Sequence, residues 1–248
     1  MYLVAAIIGL LVLVAVVKLL NVFGYTSAGN SGKYGIKTVK PLPASPLQGM
    51  NIAFLGSSVT YGSTAKGTSF VEYICKRNGC TYVKEALAGT TLVDDGEKSY
   101  VQRMLNKLDS NAHVDLFVVQ LSTNDATKQL PLGAIGASFV LDEFDTTTVA
   151  GAIEYIIGFA RQTWQCPVVF YTGTYYESER YGEMVNLLLE IQKKWDIGVI
   201  DLWHNAEMRA VDADSYKLYM VNGVHPSQAG YLLWWTPVME KYLYGYLT

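Results

Sequence analysis

From Asn51 onward, short apolar runs alternate with longer stretches in which apolar residues recur every three or four positions. The runs at 51–55, 81–87, 115–121, 167–172 and 197–202 read as strands. The periodic stretches near 68–78, 97–110, 147–164, 179–195 and 226–246 read as helices. Leu116–Val119 and Val168–Tyr171 contain no polar position, which suits strands covered on both faces. Regular alternation of this kind predicts a parallel sheet with right-handed crossovers, a three-layer α/β domain over residues 51–248. The connection 126–146 has no clear periodicity, and a loop of that length in a compact domain is usually functional or mobile.

Ahead of this domain the pattern changes. Tyr2 to Val17 carries no charge, and apolar character continues past Lys18 through Leu19, Leu20, Val22 and Phe23. About 20 residues at 1.5 Å each cross a ~30 Å hydrocarbon core, so residues 1–23 are expected to form a transmembrane anchor, with Lys18 reaching back to the headgroups. No Lys or Arg precedes the run, which favours an uncleaved anchor over a signal peptide. Lys18, Lys33, Lys37 and Lys40 follow it, placing the globular domain in the cytoplasm by charge bias, with an extracellular orientation as the alternative. Residues 24–50, rich in Gly and Ser and then in Pro41, Pro43 and Pro46, read as a linker.

Half of the 248 residues are hydrophobic, 17% are charged and the net charge is −3, so a sizeable core is expected and a nucleic-acid partner is not. Cys75, Cys80 and Cys166 are too few and too irregularly spaced for a disulfide framework. The 18 tyrosines, several of them in 171–181 and 231–246, suit core and rim packing, with a surface for sugars or acyl chains as the sharper alternative.

In an α/β domain, ligands bind where the carboxyl ends of the strands converge. Strand one delivers Gly56-Ser57-Ser58, strand two Ala88-Gly89-Thr90-Thr91 and strand three Ser122-Thr123-Asn124-Asp125. Far downstream lies Asn222-Gly223-Val224-His225-Pro226-Ser227. Ser58 is a nucleophile, an anion-binding hydroxyl or a turn residue. Acyl transfer needs a nucleophile, a base and oxyanion donors. Ser58 and His225 could serve as the first two, and the Ser58 and Gly89 amides with the Asn124 side chain as the third. His113 lies in a polar loop before the third strand and His204 follows the fifth, whereas His225 precedes a proline suited to the first helical position. The positive end of that helix would keep the ring neutral, as a general base must be. Asp94, Asp95 and Glu97 read as a solvated loop and not a metal site. Ser63-Thr64-Ala65-Lys66 matches a Ser-x-x-Lys pattern without its companion motifs. No cofactor is expected.

These blocks resemble those of the SGNH, or GDSL-type, esterase and lipase family. Gly56-Ser57-Ser58 is similar to its GDS motif, Gly89 to its block-two glycine, Ser122–Asp125 to its GxND block and Asn222–Pro226 to its DxxHP block. The resemblance implies a flavodoxin-like sheet of order 2-1-3-4-5 and hydrolysis of small-molecule, lipid or carbohydrate esters through an acyl-enzyme. It implies Ser58 as nucleophile, His225 as base, and Ser58, Gly89 and Asn124 as the oxyanion hole. Ser57 and Ser122 depart from the family's Asp and Gly. Asn222 stands where the triad carboxylate belongs. That departure leaves room for a Ser58–His225 dyad oriented by Asn222, for a carboxylate from elsewhere such as Asp201, or for an inactive relative that only binds ligand. A flavodoxin-like module cradling phosphate in the 56–64 loop is the alternative from another class.

Overall fold

The computed structural model describes residues 2–247, without the side chains of residues 2–7 and 9. Strands β1 (Asn51–Gly56), β2 (Thr81–Ala86), β3 (Leu116–Gln120), β4 (Val168–Tyr171) and β5 (Gly198–Ile200) form one sheet of order β2-β1-β3-β4-β5. Every pairing is parallel, as the alternation of strand and helix patterns predicts. The helices, in chain order, are α1 (Tyr2–Val22), α2 (Ser58–Tyr61), α3 (Phe70–Asn78), α4 (Tyr100–Lys107) and α5 (Thr123–Thr127). They continue with α6 (Val149–Thr163), α7 (Glu179–Trp195), α8 (Ala206–Arg209), α9 (Ala213–Tyr219) and α10 (Thr236–Leu247), the last preceded by a π-helical turn at Gly230–Trp235.

Alternate strand residues feed two cores. Ala53, Leu55, Phe117, Val119, Val168 and Phe170 pack with buried residues of α4, α6 and α7. Ile52, Phe54, Leu116, Val118, Val169 and Tyr171 pack with Phe70 and Ile74 of α3 and with Trp235 and Met239 at the carboxyl terminus. Two helical layers thus enclose the sheet, and all five strands point their carboxyl ends at one edge. Cys75, Cys80 and Cys166 are free thiols.

The amino terminus differs from expectation. Among the described residues no helix is long and apolar enough to cross a membrane. The single-pass anchor over residues 1–23, and membrane localisation in either orientation, are therefore withdrawn. Much of the stretch behind that expectation, residues 1–7 and 9, lies outside the described side chains. The described apolar run from Leu10 reaches only Val17 before Lys18 interrupts it, about 12 Å against a ~30 Å core. Residues 24–50 lie against the domain. Asn30 is buried, its Nδ2 donates to Thr64 O at 2.6 Å, and its Oδ1 accepts from Gln228 N at 2.7 Å.

The long connection after α5 is pinned. Lys194 of α7 donates to Gly136 O at 2.7 Å and pairs with the fully buried Glu154 of α6 at 2.5 Å, while Glu154 accepts from Gly136 N at 2.8 Å. Removing one partner of a buried ion pair strands the other charge. Glu154→Ala is therefore expected to cost about 3 kcal/mol of stability, read as a shifted urea midpoint at constant m value.

Candidate active site

β1 stops at Gly56 because the chain turns there too tightly for a side chain. A Cβ on Gly56 would lie 1.7 Å from Thr60 Oγ1. The turn is held from β3 by Gln120, whose Oε1 accepts from Ser57 N at 2.9 Å and from Thr60 Oγ1 at 2.8 Å. With that proton committed, Thr60 Oγ1 accepts from the Tyr171 hydroxyl at 2.5 Å. The next residue, Ser58, opens α2, and its Oγ lies 2.8 Å from His225 Nε2.

The other side of the imidazole decides its tautomer. Asn222 Oδ1 accepts from Val224 N at 3.0 Å and from His225 N at 2.9 Å, and His225 Nδ1 lies 3.0 Å from the same atom. Two backbone N–H groups converge on that atom, so it is the amide oxygen, and Nδ1 must carry the proton to join them. Nε2 then presents a lone pair to the Ser58 hydroxyl. Burial pushes the His225 pKa below its ordinary value, which keeps the ring neutral. The cause is desolvation and not the helix end expected from the sequence. Pro226 pairs with Met220 in an isolated bridge, and the helix begins two residues later, after Ser227 accepts from Gly230 N at 3.2 Å.

The expected oxyanion donors are unspent. Neither Ser58 N–H nor Gly89 N–H donates to another described group. Gly89 has φ of +79°, a left-handed conformation that favours glycine, and it borders a cleft of about 440 Å³ shared with Thr90, Asp95, Lys98 and Lys128. Asn124 spends one amide hydrogen on Thr90 O at 2.8 Å and retains the other.

The sequence profile of the GDSL-like lipase/acylhydrolase family matches residues 54–233, a span containing the whole of this arrangement. The chain belongs to that family. It is an esterase-type hydrolase. Solved structures with the same fold include a candidate GDSL-like lipase from Bacteroides ovatus, 19% identical with a TM-score of 0.57 over 81% of this chain and 98% of that one. An acetyl xylan esterase is 12% identical, TM-score 0.55, over 80% of this chain and 100% of its own. A family two carbohydrate esterase from Clostridium thermocellum, solved with cellohexaose, is 15% identical, TM-score 0.52, over 84% of this chain and 64% of its own. No curated protein matches the sequence.

Two buried side chains in this GDSL-family chain frame the site: Arg103, which was not singled out from the sequence, and Asp125, which appeared there only as the last residue of the GxND-like block. Arg103 of α4 donates to Gly56 O at 2.8 Å, Thr90 Oγ1 at 3.0 Å, Lys98 O at 2.9 Å, and both the carbonyl (3.1 Å) and carboxylate (3.0 Å) of Glu85. All five guanidinium N–H groups are used, tying the Gly56–Ser58 turn to the Gly89 loop. Asp125 accepts from Leu92 N at 2.8 Å and Val93 N at 2.9 Å, holding the same loop from α5. One signal for Arg103 was present: it falls among Tyr100, Val101 and Met104 on the buried face of α4. Other candidates are engaged elsewhere. Asp201 faces His204 Nδ1 at 2.7 Å, His113 pairs with Asp115, Asp95 with Lys128, and Lys66 with Asn30 O.

Proposed function

We propose that this hydrolase cleaves carboxylic esters through an acyl-enzyme on Ser58. As Ser58 Oγ attacks the carbonyl carbon, its proton passes to His225 Nε2. The oxyanion is received by the Ser58 and Gly89 amides and the free Asn124 amide hydrogen. His225 then protonates the departing alcohol. Water, deprotonated by the same ring, releases the acid. Asn222 holds the ring in the tautomer that can accept. The observation that carries the reading is the 2.8 Å Ser58 Oγ–His225 Nε2 contact, aligned behind by Asn222 Oδ1. The fold shared with an acetyl xylan esterase and a carbohydrate esterase supports a carbohydrate ester among the substrates.

The test is a fluorophosphonate probe with peptide mapping, beside hydrolysis of p-nitrophenyl acetate. Covalent label on Ser58 is expected; label elsewhere, or none with no hydrolysis, overturns the reading. The pH profile adds a check. Only neutral His225 can accept a proton, and its pKa is lowered by burial. The kcat/KM is expected to rise with pH and reach half its plateau below the unperturbed histidine value of about 6.5. The same shift makes stability fall as pH drops below about 6.5, since the unfolded chain then binds the proton more readily.

A further inference from the structure

The residue after Asn222 is Gly223, and the pair stands exposed between α9 and the carboxyl-terminal helix. Asn-Gly is the dipeptide most prone to spontaneous deamidation, because glycine leaves the following backbone nitrogen uncrowded. We propose that Asn222 is a self-modification site at which this protein generates the carboxylate its triad lacks. Gly223 N attacks Asn222 Cγ, forming the N–Cγ bond. The Cγ–Nδ2 bond breaks, and the amide nitrogen leaves as ammonia with the proton from Gly223. Water then attacks the succinimide at Cγ, the new Cγ–N bond breaks and Gly223 N regains a proton, leaving an aspartate on an uninterrupted backbone. No oxidant or second enzyme is needed.

The local structure favours each part of the step. Gly223 N–H donates to no described group, and Asn222 Nδ2 makes no hydrogen bond among the described residues, so nucleophile and leaving group are both free. A Cβ built on Gly223 would meet nothing within 4 Å. When Cγ becomes tetrahedral, negative charge develops on Oδ1, where Val224 N–H, His225 N–H and His225 Nδ1–H already point at 3.0, 2.9 and 3.0 Å. Donors preplaced on a developing oxyanion lower its barrier. The aspartate formed inherits the same donors.

The chain contains an internal control. Asn78-Gly79 is its other Asn-Gly pair, and it is closed at every point. Asn78 is 2% exposed, its Nδ2 donates to Ile74 O at 2.8 Å and Glu240 Oε1 at 2.7 Å, and Gly79 N–H is spent on Cys75 O. Of the two Asn-Gly pairs, only Asn222 is open to conversion. Its effect on turnover rests on the esterase reading above; the conversion itself does not.

The experiment ages the purified full-length protein at mildly alkaline pH and follows it by peptide mapping and by p-nitrophenyl acetate turnover, with Gly223→Ala in parallel. The mass gain of amide-to-acid conversion is expected at 222 and not at 78. Turnover should climb with the aspartyl fraction, resolved from isoaspartyl by fragmentation, and Gly223→Ala should slow the conversion several-fold. No gain at 222, or an equal gain at 78, overturns the proposal. Conversion without a rise in turnover, in a protein that hydrolyses ester when fresh, overturns the activation. Conversion in a protein that never hydrolyses ester leaves the site standing and defeats the esterase reading instead.

Discussion

Replacing Ser58 with alanine is expected to lower kcat for a short p-nitrophenyl ester by about 10⁴- to 10⁶-fold, as when a nucleophile is removed from a serine hydrolase. KM should change little, because the lost interaction belongs to bond formation. Stability should fall by only about 1 kcal/mol, the worth of one hydrogen bond. His225→Ala is expected to fall as far. The double variant should be no worse than either single one, since in the proposed mechanism proton transfer from Ser58 to His225 is one event. Steady-state kinetics on the three proteins checks this, and a multiplicative loss in the double variant would show that serine and histidine act separately.

The second large effect is at Asn222. Asn222→Ala is expected to reduce kcat by about 10²- to 10³-fold, because the ring loses the acceptor that selects its tautomer. Asn222→Asp should instead raise kcat roughly tenfold. In another triad, exchanging carboxylate for amide costs about 10⁴, largely because the wrong tautomer results. Here Val224 N–H and His225 N–H turn the amide oxygen toward the ring, so that penalty is absent and only the charge is missing. A charge-assisted hydrogen bond is about twice as strong as a neutral one, a gain on the order of 1.4 kcal/mol or a factor of ten. The new carboxylate would also raise the His225 pKa, moving the midpoint of the pH profile upward. A lower rate for Asn222→Asp would mean that the site depends on a neutral partner.

The central strands were legible because strands covered on both faces run largely apolar, as Leu116–Val119 and Val168–Tyr171 do; β2, with Lys84 and Glu85, was legible from its place in the strand–helix alternation instead. Ser58, His225 and Asn222 were legible as residue types at strand ends and in one short block, and the structure brings those three into contact. The frame around them was not. Gln120 holds Ser57 from 63 positions away, and Arg103 reaches Gly56 across 47. Contacts of that span leave no local periodicity. Pro226 misled for a related reason: its ring suits a helix start, but pairing with Met220 claims it for the bridge. The anchor reading rested on hydropathy, length and flanking charge, and the described residues do not sustain it.

The Ser58–His225 contact spans 167 positions of chain. During synthesis the Ser58 turn and the Gly89 loop leave the ribosome first, then Gln120, which holds the turn, and His225 only afterwards. The turn is complete once Gln120 is out, 105 positions ahead of His225. At about 5–20 residues per second, that interval is roughly 5–20 s. On the proposed mechanism, the serine then waits for its base until the last elements of the chain close over the sheet.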